Sequence, residues 1–103
     1  MRRRTVSSDY ARRVGDELGI DWSRVSREEF QMGVETELEH FATIRRIAPG
    51  WSFKKMGVAA GMIALDHLLE IGDYYTRLAR MEAEAMRGEL HEQGSLCYLR
   101  AGG

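Results

Sequence analysis

The chain contains a single proline, Pro49, among 103 residues, and this feature most restricts how it can fold. Proline ends a helix and disfavours helical backbone in the residue before it, so its absence elsewhere leaves long stretches able to form helix. These stretches are rich in glutamate, arginine, alanine, leucine and methionine, which favour helix. The sequence therefore predicts an all-α protein that is divided by a turn at Pro49 and Gly50.

Capping signals predict where the first two helices begin and end. A serine at position 7 or 8 can cap a short helix that runs to about Leu18, and Gly19 provides its C-terminal stop. The capping-box pattern between Ser26 and Glu29 begins a second helix, which is expected to reach about Ile47. Both helices are thus defined by local signals at their termini.

A third helix is predicted from between residues 52 and 57 to about Arg87, ahead of Gly88. The loop before it has roughly four to nine residues, and a loop this short favours an antiparallel helical hairpin. Two long helices and one short helix enclose little core. We therefore expect two hairpins to dimerise into a four-helix bundle, with a monomeric three-helix bundle as the alternative.

The domain organisation follows from these helices and from the charge pattern. Residues 1–7 form a basic N-terminal arm, residues 8–87 a single helical domain, and residues 88–103 a C-terminal tail that is a candidate for contact with a protein partner. Fifteen basic and sixteen acidic side chains give a net charge of −1, so despite the arginines of the arm we expect no nucleic-acid partner.

Several classes of protein do not fit the composition. The single cysteine, Cys97, excludes an internal disulfide framework. No stretch of about 18 apolar residues predicts a membrane span, and no apolar stretch of the signal-peptide type follows the first arginines. We therefore expect a cytoplasmic protein without a membrane partner.

Each long helix carries two ionisable residues on or beside its apolar face. On a helical wheel, Glu37 lies about 20° from Phe30, inside the apolar stripe of the second helix, and His40 lies one turn later at the edge. His67 lies near the centre of the third helix's stripe, and Glu70 lies at its border. That third stripe is predicted to consist of Ala60, Ile63, Ala64, Ile71, Tyr74 and Leu78.

Two carboxylates and two imidazoles that face one core need a partner, because a buried unpaired carboxylate costs several kcal/mol. A divalent cation can provide it, and Glu-x-x-His is the ligand spacing of di-iron and di-manganese carboxylate bundles. The sequence thus predicts an iron or manganese site with Glu37, His40, His67 and Glu70 as ligands and the Tyr74 hydroxyl behind them. With iron, the expected chemistry is oxidation of Fe(II) by oxygen.

A structural interpretation of the same residues stays open beside the metal site. Glu37 and His67 can form a hydrogen bond with each other across the hairpin, or His67 can donate to a tyrosine or to a backbone carbonyl. The protein would then be a non-enzymatic helical interaction module, and a metal-free acid–base site is a third alternative. Glu39 points away from the apolar stripe, so it and Tyr75 are candidates for contact with a partner.

Three segments of the chain resemble the DUF5661 family of small proteins of unknown function. They are the stretch from Leu18 to Trp22, the string Glu-Leu-Glu-His at 37–40, and the pattern His-Leu-x-Glu-x-x-Asp-Tyr-Tyr at 67–75. The residues that the resemblance assigns to the family pattern are Glu37, Glu39, His40, His67, Glu70, Tyr74 and Tyr75. The chain departs from the pattern at Phe41, where the family usually has glycine, and at Met62, where it usually has lysine.

The helix pair with Glu-x-x-His is also similar to the encapsulated ferritin-like proteins. Those are two-helix chains that assemble a di-iron site across a dimer and carry a C-terminal docking peptide. The segment at 94–100 of the tail is only loosely similar to such a peptide. This resemblance implies a ferritin-like metal-binding protein and a role for the tail in contacting a partner.

Overall fold

A computed structural model of the protein describes residues 5–88 and places them in four helices, with no strand in this range. The helices are α1 (Ser8–Glu17), α2 (Arg27–Ile47), α3 (Phe53–Glu70) and α4 (Tyr74–Met86). The all-α prediction is therefore confirmed. None of these four helices is both long and apolar enough to cross a membrane. The predicted tail from residue 89 onward and the first four residues of the predicted arm lie outside the described residues.

Serine caps begin the first three helices, as two of the sequence signals predict. In each case the serine hydroxyl oxygen accepts the backbone N–H three residues later, at 3.0–3.2 Å. The three capping residues are Ser7, Ser26 and Ser52. Gly19 follows α1 with a φ of 74°, the left-handed conformation that glycine adopts readily at a helix C-terminus. The predicted starts of α1 and α2 are confirmed.

The predicted third helix is wrong in one respect, because it consists of two helices. Ile71, Gly72 and Asp73 separate α3 from α4. Glycine inside a helix costs about 1 kcal/mol relative to alanine, and aspartate is a common residue at the start of a helix. The apolar spacing continues across this break, but the break resets the helical phase, so one helical wheel does not hold for α3 and α4 together. Two residues of the predicted stripe are exposed, Ile63 within α3 (37 %) and Ile71 at the break (40 %).

The core forms around α2, which packs against each of the other three helices. Its predicted apolar stripe consists of Phe30, Val34, Leu38, Phe41 and Ile44, of which the first four are buried and Ile44 is half-buried. The facing side of α3 presents Ala60 and Ala64, and these small side chains let the two helices approach closely. The antiparallel direction of the hairpin and its dimerisation stay predictions.

The segment before α1 is attached to α2 by side-chain hydrogen bonds. Val6 is 5 % exposed, its N–H donates to the Glu35 carboxylate at 3.3 Å, and its carbonyl accepts from the Gln31 amide at 2.7 Å. At the other end of α1, Trp22 packs edge-on against Phe30 with ring centroids 5.6 Å apart. The segments that flank α1 on both sides thus contact α2.

Candidate functional site

The structure brings two of the four predicted metal ligands together. Glu37 on α2 is buried, and its Oε2 lies 3.8 Å from the Nε2 of His67 on α3. His40 and Glu70 are exposed on their helices. Within residues 5–88, no group of three or more His, Cys, Asp or Glu residues is placed to hold a metal ion. The described residues of one chain therefore do not form the four-ligand metal site, which stays a prediction.

The buried carboxylate of Glu37 has a partner that the sequence did not predict. The hydroxyl of Tyr75, from the first turn of α4, donates a hydrogen bond to Glu37 Oε2 at 2.7 Å. Tyr75 is 1 % exposed and is among the most deeply buried side chains described. Burial, followed by the hydrogen bond to Glu37 and its charge, raises the pKa of the Tyr75 phenol far above its usual value of 10. Tyr75 therefore keeps its proton and acts as a donor at neutral pH.

His67 and two tyrosines complete this group of side chains. The His67 ring stacks on Tyr74 with centroids 4.3 Å apart and planes 5° from parallel. Tyr75 stands edge-on to both rings, at 6.0 Å from His67 and 4.9 Å from Tyr74. We call these four residues (Glu37, His67, Tyr74 and Tyr75) the Glu37 cluster. It joins α2, α3 and α4 at one place.

The two tyrosines have exchanged the positions that a continuous helix would give them. Tyr75, a predicted contact residue for a partner, points into the core. Tyr74, predicted behind the metal ligands, is half-buried and covers one face of His67. Glu39, the other predicted contact residue, is exposed. The new helix that begins after Asp73 accounts for this exchange, because it rotates the side chains that follow.

Gly33 makes room for the Tyr75 ring. A Cβ atom at this position would lie 2.6 Å from Tyr75 Cε2 and 2.8 Å from the Cβ of Ala64, closer than real Cβ contacts. Sequence reasoning did not select Gly33 as a functional residue. A glycine inside a strongly helical pattern was the available signal, since it costs about 1 kcal/mol and so points to a close packing contact.

Glu29 is a second buried carboxylate that sequence reasoning assigned to another role. It is 8 % exposed, and its Oε1 accepts the backbone N–H of Tyr75 at 3.0 Å and of Thr76 at 3.3 Å. Its Oε2 accepts the Thr76 hydroxyl. Glu29 thus caps α4 from α2, because it satisfies N–H groups that a helix leaves unpaired in its first turn.

Asp73, the residue at the N-cap position of α4, does not provide this cap. Its carboxylate instead accepts from Arg77 Nε at 2.7 Å on the surface, and this bond holds the pKa of Asp73 below its usual range. The capping-box pattern correctly identified the Ser26 hydroxyl as a cap for α2. It could not show that the carboxylate of Glu29 caps the N-terminus of α4, more than forty residues later in the chain.

Comparison with known proteins gives one family. The sequence model of the family described as protein of unknown function, DUF5661, matches residues 11–84. This range contains the whole Glu37 cluster together with Gly33 and Glu29. No curated protein and no solved structure matches the chain. The comparisons leave the resemblance to ferritin-like proteins unsupported.

Proposed function

The chain belongs to the DUF5661 family, whose function is unknown, and from its core geometry we propose that it is a non-enzymatic helical interaction module. In this proposal the Glu37 cluster is structural and fixes α2, α3 and α4 against one another. The hydrogen bond from Tyr75 to Glu37 carries the proposal. It supplies, from within the chain, the partner that a buried carboxylate requires.

The energetics of burial support this assignment. Removing one partner from a buried hydrogen bond to a charged group costs about 1–3 kcal/mol, which is a large share of the stability of a small domain. The chain meets the requirement of Glu37 with a neutral phenol at 2.7 Å. His67, at 3.8 Å, lies beyond the length of a normal hydrogen bond and contributes mainly through its stacking on Tyr74.

An interaction module also needs a surface, and α3 offers one. On the side of α3 that faces away from α2, four apolar residues follow one another at helical spacing, and we call them the outer α3 face. They are Val58, Met62, Leu65 and Leu69. Met62 is 55 % exposed and Leu69 is 62 % exposed. Val58 and Leu65 are half-buried, and Leu65 packs against the core, so the exposed part of this face consists of Met62 and Leu69. Exposed apolar side chains that share one helix face mark sites of protein contact.

A ferritin-like metal site is the second candidate, because Glu37 and His67 lie within 3.8 Å of each other. Iron or manganese bound there would need further ligands, for which His40 and Glu70 are the predicted residues. The two candidates differ in what they require of Glu37. A metal requires the negative charge of the carboxylate, whereas the structural cluster requires only an oxygen that accepts from Tyr75.

Three variants separate these candidates. We expect Glu37→Ala to lower the free energy of unfolding by about 1–3 kcal/mol, because the Tyr75 hydroxyl loses its acceptor. Glu37→Gln keeps an acceptor and should retain most of the wild-type stability. His40→Ala, on the exposed side of α2, serves as the matched control with unchanged stability. Urea unfolding measures all three, and elemental analysis after anaerobic loading with Fe(II) or Mn(II) measures metal content.

The proposal would be contradicted by stoichiometric metal in the wild-type protein that is lost in both Glu37→Gln and His40→Ala. A fully stable Glu37→Ala variant would also contradict it, since the cluster would then have no structural role.

A further inference from the structure

We propose that the outer α3 face is the interface of a homodimer in which the α3 helices of two copies lie antiparallel, with Met62 at the twofold axis. This rests on the proposed function, because it names the partner of the interaction module. The partner is a second copy of the same chain, and three observations on α3 support it.

The first observation is that α3 is apolar on two opposite sides. Its inner side, which packs in the core, includes Met56, Ala60, Ala64 and Leu68. On a helical wheel the outer α3 face occupies a sector about 60° wide on the opposite side. One apolar side is enough to pack a helix in a core, so a second, exposed apolar side is typical of a contact surface. In residues 5–88 the side chains of Met62 and Leu69 are left more than half exposed.

The second observation is a groove at the N-terminal half of this face. It has a volume of about 400 Å³, and its walls include Trp51, Val58, Ala59 and Met62. Lys55 borders it with its ammonium group 4.9 Å from the Trp51 ring, which leaves the aliphatic part of the lysine against the groove. In an antiparallel pair centred on Met62, Leu69 of the second copy lies level with Lys55. The exposed leucine of one copy would therefore enter the groove of the other.

The third observation is the charge pattern along α3. Lys54 and Lys55 lie at its N-terminal end, whereas Asp66 and Glu70 lie at its C-terminal end, and all four are exposed. In the antiparallel register centred on Met62, Lys55 of one copy lies about one turn from Asp66 of the other, and both lie on the same edge of the outer α3 face. Lys54 is level with Glu70 along the helix axis but lies on the opposite edge, so this pair acts at longer range. A parallel pair would instead place lysine beside lysine and glutamate beside glutamate. The charges thus favour the antiparallel pair and oppose the parallel one.

These features are self-complementary, which is the requirement for a symmetric dimer. In a twofold interface the same patch meets itself, so residue i of one copy contacts residue j of the other and the reverse also holds. The basic end, the groove, the central methionine and the acidic end of α3 meet this requirement around one point. An unrelated partner would need no such symmetry in the charges.

Sedimentation equilibrium of the full chain tests the proposal. We expect the wild-type protein to have twice the chain mass of 11.8 kDa at micromolar concentration. Met62→Glu places two like charges at the twofold axis and should yield monomers with unchanged helix content by circular dichroism. Met86→Glu makes the same change at another exposed methionine, 88 % exposed at the end of α4, and should remain dimeric.

A charge exchange then tests the register. Reversing the basic end (Lys54→Glu with Lys55→Glu) should raise the dissociation constant roughly tenfold or more. Adding Asp66→Lys and Glu70→Lys to the same chain should restore association, because the basic and acidic ends of the two helices are again beside each other with their signs exchanged.

Three results would overturn the dimer: a wild-type monomer at all concentrations, a dimer that persists in Met62→Glu, or a charge-exchanged chain that fails to recover. The dimer and the proposed function can fail separately. If the protein is a metal-free monomer, and Glu37→Ala is destabilised while Glu37→Gln is not, the dimer is overturned and the interaction module is retained. Metal that depends on Glu37 would overturn the module whatever the oligomeric state.

Discussion

At the scale of single residues, the bond between Tyr75 and Glu37 links the ionisation of a tyrosine to folding. The phenol is neutral in the folded state because burial and the Glu37 carboxylate raise its pKa far above 10. In the unfolded chain the same phenol titrates near 10. Between these two pKa values the folded state binds one proton more than the unfolded state, so stability falls as the pH rises.

We therefore expect the free energy of unfolding to decrease above about pH 10 by roughly 1.4 kcal/mol per pH unit from this one group. Below pH 10 the contribution of the neutral phenol is fully present. Tyr75→Phe removes the titrating group and should make the alkaline decrease shallower by that amount. Urea unfolding at several pH values between about 9 and 11 measures the slope. Tyr74→Phe is the neighbouring control, and equal slopes for wild type and Tyr75→Phe would refute the linkage.

Replacing Gly33 by alanine is expected to destabilise the fold, although helix propensity alone predicts that it stabilises α2. Alanine is favoured over glycine in a helix by about 1 kcal/mol, so Gly33→Ala would stabilise an isolated α2. In the fold, the added Cβ would meet the Tyr75 ring at 2.6 Å. We expect a net loss of about 1–3 kcal/mol in thermal or urea unfolding, because the ring must move out of its packed position.

Gly50→Ala is the control for this substitution. Its Cβ would have no neighbour within 4 Å, so we expect little change or a gain of about 0.5 kcal/mol. A Gly33→Ala variant as stable as the wild type would show that Tyr75 can shift without cost.

At the scale of the helices, α4 depends on a cap that belongs to another helix. Its own N-cap residue, Asp73, bonds Arg77 on the surface, whereas Glu29 of α2 accepts the N–H groups of Tyr75 and Thr76. The charge of Glu29 also lies at the positive end of the α4 dipole. The start of α4 is therefore determined by its contact with α2 rather than by its own capping residue.

We expect Glu29→Ala to lower the free energy of unfolding by about 1–3 kcal/mol and to expose the amides of Tyr75 and Thr76 to hydrogen exchange. Glu28→Ala is the matched control, since Glu28 is exposed in the same first turn of α2 and loses the same favourable interaction with the α2 dipole. Native-state hydrogen exchange distinguishes the two. Equal protection of α4 in both variants would show that Glu29 does not hold this helix.

At the scale of the whole molecule, the contacts that hold α4 and the outer α3 face serve different purposes. The Glu37 cluster and Glu29 hold α4 against α2, and Met62 and Leu69 of the outer α3 face stay exposed. A dimer through that side would bury Met62 and Leu69 without disturbing the cluster. For this reason the cluster variants test folding, and the α3 variants test association.

The sequence alone determined the features that depend on neighbouring residues. Serine caps, the single proline and apolar spacing depend on groups within about four positions, and they correctly predicted an all-α chain with α1 and α2 in place. The burial of Glu37 also followed, because one continuous helix carries it and the apolar stripe around it.

Only the tertiary structure decided what Glu37, Glu29 and the two tyrosines do. Tyr75 and Glu37 are 38 positions apart, and Glu29 caps a helix 46 positions later. Such partners depend on how α2, α3 and α4 pack, and on the phase that α4 takes after the break at Gly72. A helical wheel assumes one unbroken helix. It therefore predicted the burial of Glu37 on α2 correctly, but across the break it assigned to Tyr74 the core position that Tyr75 occupies.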